Sequence, residues 1–122
     1  MINQVTLIGR IVETPILKNY EGEFLVTTLT LAVSRPFKNM EGNYDTDFIK
    51  VSLWNKIAKN TCEYTQKGDI VAVKGRLQMK ETEVSLENDK KKITVLEVVG
   101  ERVIFIQSYQ KKEQLSEILV EE

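Results

Sequence analysis

Hydrophobic and polar positions alternate with period two over two neighbouring stretches. In residues 24–34, Leu29, Leu31 and Val33 share one face, and Thr28, Thr30, Ala32 and Ser34 share the other. In residues 48–54, Ile49, Val51 and Leu53 face one way, and Phe48, Lys50, Ser52 and Trp54 the other. Strict alternation predicts half-buried β-strands. Pro36 is expected to end the first strand, because proline cannot donate to a sheet ladder. Residues 37–43 are expected to form a long polar tip that carries one ring, Phe37. The pair reads as a long β-hairpin. Its outer face is unusual, because Phe48 and Trp54 sit where a wet face should be polar, and exposed rings call for something to cover them.

The flanking sequence supplies more strands and one helix. Residues 2–12 alternate, with Val5, Leu7, Gly9 and Ile11 on one face and Arg10 on the other. A glycine on the inward face predicts a bend or a close approach. Thr14-Pro15 breaks that run, residues 16–20 allow a short continuation, and Glu21-Gly22-Glu23 reads as a turn. From 55 to 66 the period changes. Ile57, Ala58, Thr61, Cys62 and Thr65 recur at helical spacing, with Asn55 as expected N-cap and Lys67-Gly68 as stop. Cys62 lies on that stripe and reads as packing. Residues 69–80 predict a strand with Val71, Val73, Leu77 and Met79 inward and Lys74, Arg76 and Lys80 as an outward basic ladder. Residues 81–92 show no apolar period and read as a flexible loop ending in Lys90-Lys91-Lys92. Residues 93–106 predict a last strand, broken near Gly100. The fold class is therefore all-β. It is a five-stranded OB-fold barrel with one short α-helix between the third and fourth strands of the barrel.

Composition narrows the chemistry. At 122 residues, with 42% hydrophobic and 29% charged residues, the chain has the make-up of one soluble domain. No run is long and apolar enough for a membrane span, and no signal peptide opens the sequence, so a cytoplasmic location is expected. The single Cys62 precludes an internal disulfide. The absence of histidine removes the commonest general base and metal ligand together. No cofactor, no metal and no catalysis are expected. Net charge is −1, yet all 17 Lys and Arg precede residue 113, while Glu113, Glu117, Glu121 and Glu122 follow. Residues 1–107 thus read as a mildly basic domain and 108–122 as an acidic, flexible tail.

The outward rings now have a chemical reading. Phe37, Phe48 and Trp54, interleaved with Lys38, Lys50 and Lys56, combine flat faces for bases with cations for phosphates. Arg10 on the first strand, Arg35 beside Phe37, and the Lys74–Arg76–Lys80 ladder add cations.

Five segments in order then resemble the bacterial single-stranded DNA-binding proteins: MINQVTLIGRI, TLTLAVSRPF, DFIKVSLWNKIA, YTQKGDIVAVKGRL and EVVGERVIFI. The resemblance covers residues 1 to about 107. It implies an OB-fold, a homotetramer, and sequence-independent binding of single-stranded DNA in replication, recombination or repair, on the nucleoid. It implies stacking by Phe37, Phe48 and Trp54, and basic contacts from Lys18, Lys50, Lys56, Lys67 and Lys80. Three departures stand out. Many members carry a ring where this chain has Thr82, and no ring lies between Tyr64 and Phe105. Some have a histidine at a subunit contact where this chain has Ile49. Family tails usually end in an acidic tip closing with Pro-Phe, which recruits replication and repair proteins. Here the acids run to Glu122 without that dipeptide, so such partners are expected if a tip follows. The alternative reading is an accessory adaptor of the same fold that mainly contacts proteins.

Overall fold

The computed structural model describes residues 1–109. The elements are β1 (Val5–Ile11), β2 (Lys18–Tyr20), β3 (Phe24–Lys38), β4 (Tyr44–Trp54), α1 (Asn55–Tyr64), β5 (Ile70–Leu86) and β6 (Asp89–Gln107). The long hairpins β3–β4 and β5–β6 are antiparallel. β1 pairs with β5 from Val5↔Gly75 to Arg10↔Ile70, and with β3 at Arg10↔Ala32 and Ile11↔Leu31. β4 meets β6 in parallel at Val51↔Val98 and Ser52↔Val99. Five strands therefore close on themselves, and β2 hangs on β3 as an extra edge. This is the expected OB-type barrel, with α1 between the hairpins. The acidic tail expected over 108–122 lies, but for Ser108 and Tyr109, outside the described residues.

The core is the set the alternation places inward. Ile11, Leu29, Leu31, Val51, Leu53, Val71 and Val73 are at most 1% exposed, and Ala58 of α1 plugs one end. Such complete burial of branched side chains supplies most of the driving force for a small β-barrel. Cys62 is half-buried on the same helical stripe, as expected of a packing residue. Gly9 is explained as well. A Cβ there would lie 2.7 Å from the Ala32 carbonyl oxygen, so only glycine lets β1 come this close to β3.

Several expectations fail for identifiable reasons. β3 does not end at Pro36. It runs to Lys38, because a register shift between Ser34 and Lys38 excuses the proline from the ladder. Residues 81–92 are no loop. β5 continues to Leu86 and turns through Glu87 and Asn88 into β6. Both turn residues have positive φ, which is what a tight two-residue hairpin requires. β6 is not broken at Gly100 but bulged: Lys74 opposes Arg102 and Gly75 opposes Gly100, leaving Glu101 extra. Met79 is 62% exposed, because the hairpin has by then left the barrel. α1 ends at Tyr64, four residues before Gly68. Asn55 is not the cap. Trp54 holds that position without a side-chain bond, while Asn55 adopts φ +54° and its Oδ1 accepts the Leu25 N–H. Asparagine tolerates this left-handed backbone, which makes the sharp exit from β4 possible.

Candidate nucleic-acid interface

The outer face of β3 and β4 can be read row by row from the strand register. One row is Arg10, Ala32 and Phe48; the next holds Thr30 and Lys50; then Thr28 and Ser52; then Lys18, Val26 and Trp54. Five of the predicted site residues thus share one curved surface: Arg10, Lys18, Phe48, Lys50 and Trp54. Phe48 is 66% exposed. Between the two rings lies a groove of about 380 Å³, walled by residues 13–16 and floored by Val26, Thr28 and Thr30, with Lys18 and Lys50 on its lining. Thr27 pins the wall by donating from Oγ1 to the Ile16 carbonyl at 2.8 Å. Lys67 joins this group, because its N–H donates to Thr14 Oγ1 on the wall. The neighbouring Gly68 carbonyl accepts Arg10 Nη1 at 2.8 Å, which ties the guanidinium to the same loop. Lys56 is exposed in the first turn of α1, at the Trp54 end of the sheet.

A second group forms the β3–β4 tip. Phe37 is 62% exposed. Lys38 Nζ sits 5.9 Å from the centre of the Tyr44 ring, within cation–π range. Arg35 is already engaged. Its Nε and Nη2 donate to both Asp47 oxygens at 3.1 and 3.0 Å, and Nη1 lies 3.7 Å from Asp45. These hydrogen bonds hold the Asp47 carboxyl below its ordinary value of 3.8 and raise Arg35. Two acids on one guanidinium leave the tip less basic than its sequence suggests. Asn39 orders the turn by accepting the Glu41 and Asn43 N–H groups on its side-chain oxygen.

The Lys74–Arg76–Lys80 ladder stands apart, because β6 separates β5 from β4 and β1 separates it from β3. Its charge is also diluted. Arg76 lies 3.7 Å from Glu101 of β6 and donates to Gln78, which in turn donates to Glu97. The strand itself carries no acid over those positions, but its neighbour supplies two. A single-strand pattern cannot show that. Lys74 aligns with Thr6 and Arg102, and Lys80 with Val95 on the projecting hairpin.

Sequence reading missed two rings. Tyr20 and Phe24 oppose each other across β2–β3 and both pack on Trp54, at 5.7 and 6.5 Å between ring centres. The signal was available, since both flank the Glu21-Gly22-Glu23 turn and Phe24 is in phase with the outer residues of β3. Among the described residues, no cluster of three or more His, Cys, Asp or Glu could hold a metal ion. No helix among them is long and apolar enough to cross a membrane.

Comparison with known proteins agrees with this geometry. The sequence model of the single-strand binding protein family matches residues 2–106. "Single-stranded DNA-binding protein 3" of Listeria innocua is 41% identical over 110 residues, 90% of this chain and 67% of that protein. "Single-stranded DNA-binding protein B" of Bacillus subtilis is 40% identical over 107 residues, 87% of this chain and 91% of that protein. A "Single-stranded DNA-binding protein" of Halalkalibacterium halodurans is 36% identical over 88% of this chain and 62% of its own length. The chain thus spans about two thirds of the Listeria and Halalkalibacterium proteins and nearly all of the Bacillus one. A match over residues 2–106, which takes in β1, the β3–β4 hairpin that builds the ring-and-lysine face, and all but the last residue of β6, places this chain in the single-strand binding protein family.

Proposed function

We propose that this protein binds single-stranded DNA without reading its sequence and performs no catalysis. The observation that carries the proposal is the outer face of β3–β4. Two exposed or half-exposed rings, Phe48 and Trp54, stand there with Arg10, Lys18 and Lys50 in the rows at and between them. Bases stack on the rings, and the ammonium groups neutralise the phosphates on either side of the groove. Lys56 and Lys67 extend the cationic border. Phe37 and Lys38 carry the strand out along the tip, where Arg35 serves the arm's own rigidity more than a phosphate. Lys74, Arg76 and Lys80 form a second basic surface onto which a long strand passes after leaving the first.

The assembly proposed is a homotetramer. Support comes from the far side of the barrel, where Ile8, Ala72 and Ile104 form one row and Ile8 is 58% exposed on a strand that should be polar outside. Work in the cytoplasm on the nucleoid, and recruitment of replication and repair proteins if an acidic tip follows Glu122, belong to the same proposal.

The test is quenching of the single Trp54 on titration with poly(dT), at low and at high salt. Saturating quenching at low salt that weakens at high salt supports the reading. Absence of quenching at low salt overturns it and turns attention to a protein partner. A parallel titration with poly(U) separates DNA from RNA, because stacking alone does not read the sugar.

A further inference from the structure

Two large rings on the β3–β4 side have no part in the function just described. Tyr20 is 50% exposed and Phe24 is 41% exposed. They face each other across the β2–β3 register, one row beyond Lys18, Val26 and Trp54. Alternation puts Lys18 and Tyr20 on one face of β2, and Phe24 and Val26 on the matching face of β3. Both rings stand nearly perpendicular to the Trp54 indole, Tyr20 at 87° and Phe24 at 80°. Edge-to-face packing is the preferred aromatic geometry, so the three rings hold one another as a single surface.

A ring needed only to cover Trp54 would be consumed in doing so. Tyr20 instead keeps half its surface in water, with a lysine two residues away on the same face. The turn that joins the strands carries Glu21 and Glu23, both exposed. A phosphate chain is repelled there and drawn to the Lys18 side. The direction is the one set by the rows from Phe48 to Trp54.

We propose that Tyr20 is a base-stacking residue of the single-strand interface, braced by Trp54 and continued by Phe24. The inference rests on the single-strand reading above. It lengthens the platform from the Ala32 row to the Phe24 row, eight residues of β3, or about 26 Å at the usual strand rise. It also gives the chain a further ring in place of the one that the projecting β5–β6 hairpin lacks between Tyr64 and Phe105.

The experiment compares Tyr20→Leu, Tyr20→Phe and Trp54→Ala for binding to fluorescein-labelled (dT)35. It adds photo-crosslinking to the same oligonucleotide carrying 5-iodouracil. The expected result is a loss of about 5- to 150-fold for Tyr20→Leu, the span of one lost stack, with Tyr20→Phe close to wild type. Tryptophan emission of the free Tyr20→Leu protein stays at the wild-type maximum, and crosslinks in the wild type map to Tyr20. Four results overturn the proposal: unchanged affinity in Tyr20→Leu while Trp54→Ala loses binding; an equal loss in Tyr20→Phe; a loss accompanied by shifted emission, which assigns the effect to Trp54 packing; or crosslinks that omit Tyr20. Unchanged affinity in Trp54→Ala as well sinks the parent reading instead.

Discussion

Replacing Phe48 by Ala tests the interface with the least disturbance to the barrel. Phe48 and Leu53 lie on opposite faces of the same strand, 66% and 0% exposed. About a third of the Phe48 ring is covered, roughly 70 Å² of the ~200 Å² an aromatic side chain can bury. At ~25 cal/mol per Å² that is at most ~1.7 kcal/mol of folding stability, an upper bound because the unfolded chain already covers part of it. Loss of one stacked base costs about 1–3 kcal/mol of binding, or a 5- to 150-fold rise in Kd. Leu53→Ala reverses the pattern: about 2–5 kcal/mol of stability goes with the cavity, and the outer face keeps its rings. The assays are urea unfolding for each variant and fluorescence titration with (dT)35 well below the unfolding midpoint. The slope of log K against log salt should be unchanged in Phe48→Ala, since no cation is removed. Equal binding by Phe48→Ala and wild type at low salt would refute the stacking argument. So would weakened binding by folded Leu53→Ala that matches the Phe48 loss.

Other consequences can be measured directly. Lys50→Ala should lower the magnitude of that salt slope by about 0.7, the value for one phosphate on a single strand; salt titrations from low to moderate ionic strength decide it. Gly75→Ala should destabilise the barrel by up to about 3 kcal/mol, because a Cβ there would run into the Val99 carbonyl oxygen, a backbone atom that cannot step aside; thermal unfolding reads the change, and a melting temperature equal to wild type contradicts the close approach. Asp47 should titrate below 3.8 in the folded protein, because Arg35 holds its charged form. A carboxyl depressed by folding contributes stability above its unfolded value and loses it as pH falls through the folded one. Side-chain carbon NMR should therefore show its midpoint low in wild type and returned toward the ordinary value in Arg35→Ala.

Much of this was legible in the chain because a barrel strand buries one face and wets the other, and one-sided burial writes itself as alternation. Leu29, Leu31, Val51 and Leu53 announce the core, and Phe48 and Trp54 announce an outer face with a task. The projecting hairpin was not legible. Outside the barrel neither face has a core to bury against, so Thr82 and Val84 give too faint a period beside Glu81, Glu83 and Ser85. Pro36 misled because a missing donor ends a strand only where the register is regular. Asn55 misled because the same short amide that caps helices also tolerates a left-handed turn. The weakness of the Lys74–Arg76 ladder was hidden for a different reason: Glu97 and Glu101 come from a strand some twenty residues further on, and charge neutralisation across a sheet is a property of pairing. Tyr20 escaped notice because a three-residue edge strand has too few positions to show a pattern.

The barrel is sewn shut by two short seams. Between β1 and β3 the paired residues are Arg10↔Ala32 and Ile11↔Leu31, helped by the Val12 N–H on the Thr30 carbonyl. Between β4 and β6 they are Val51↔Val98 and Ser52↔Val99. The β3–β4 and β5–β6 hairpins, by contrast, are zipped along nearly their whole length. Each hairpin zips outward from its own tight turn and forms early in folding, whereas the β4–β6 seam joins residues 47 apart in sequence, Val51 and Val98, and must wait. The late step is then the docking of two preformed ribbons, and the earliest sub-global opening in the native state is their parting. The Val12 amide hydrogen, which bonds across the β1–β3 seam, should exchange with solvent before those in the middle of either ribbon. Phe48 and Trp54 both lie on the β3–β4 ribbon, so the two rings stay in register with each other while the barrel breathes.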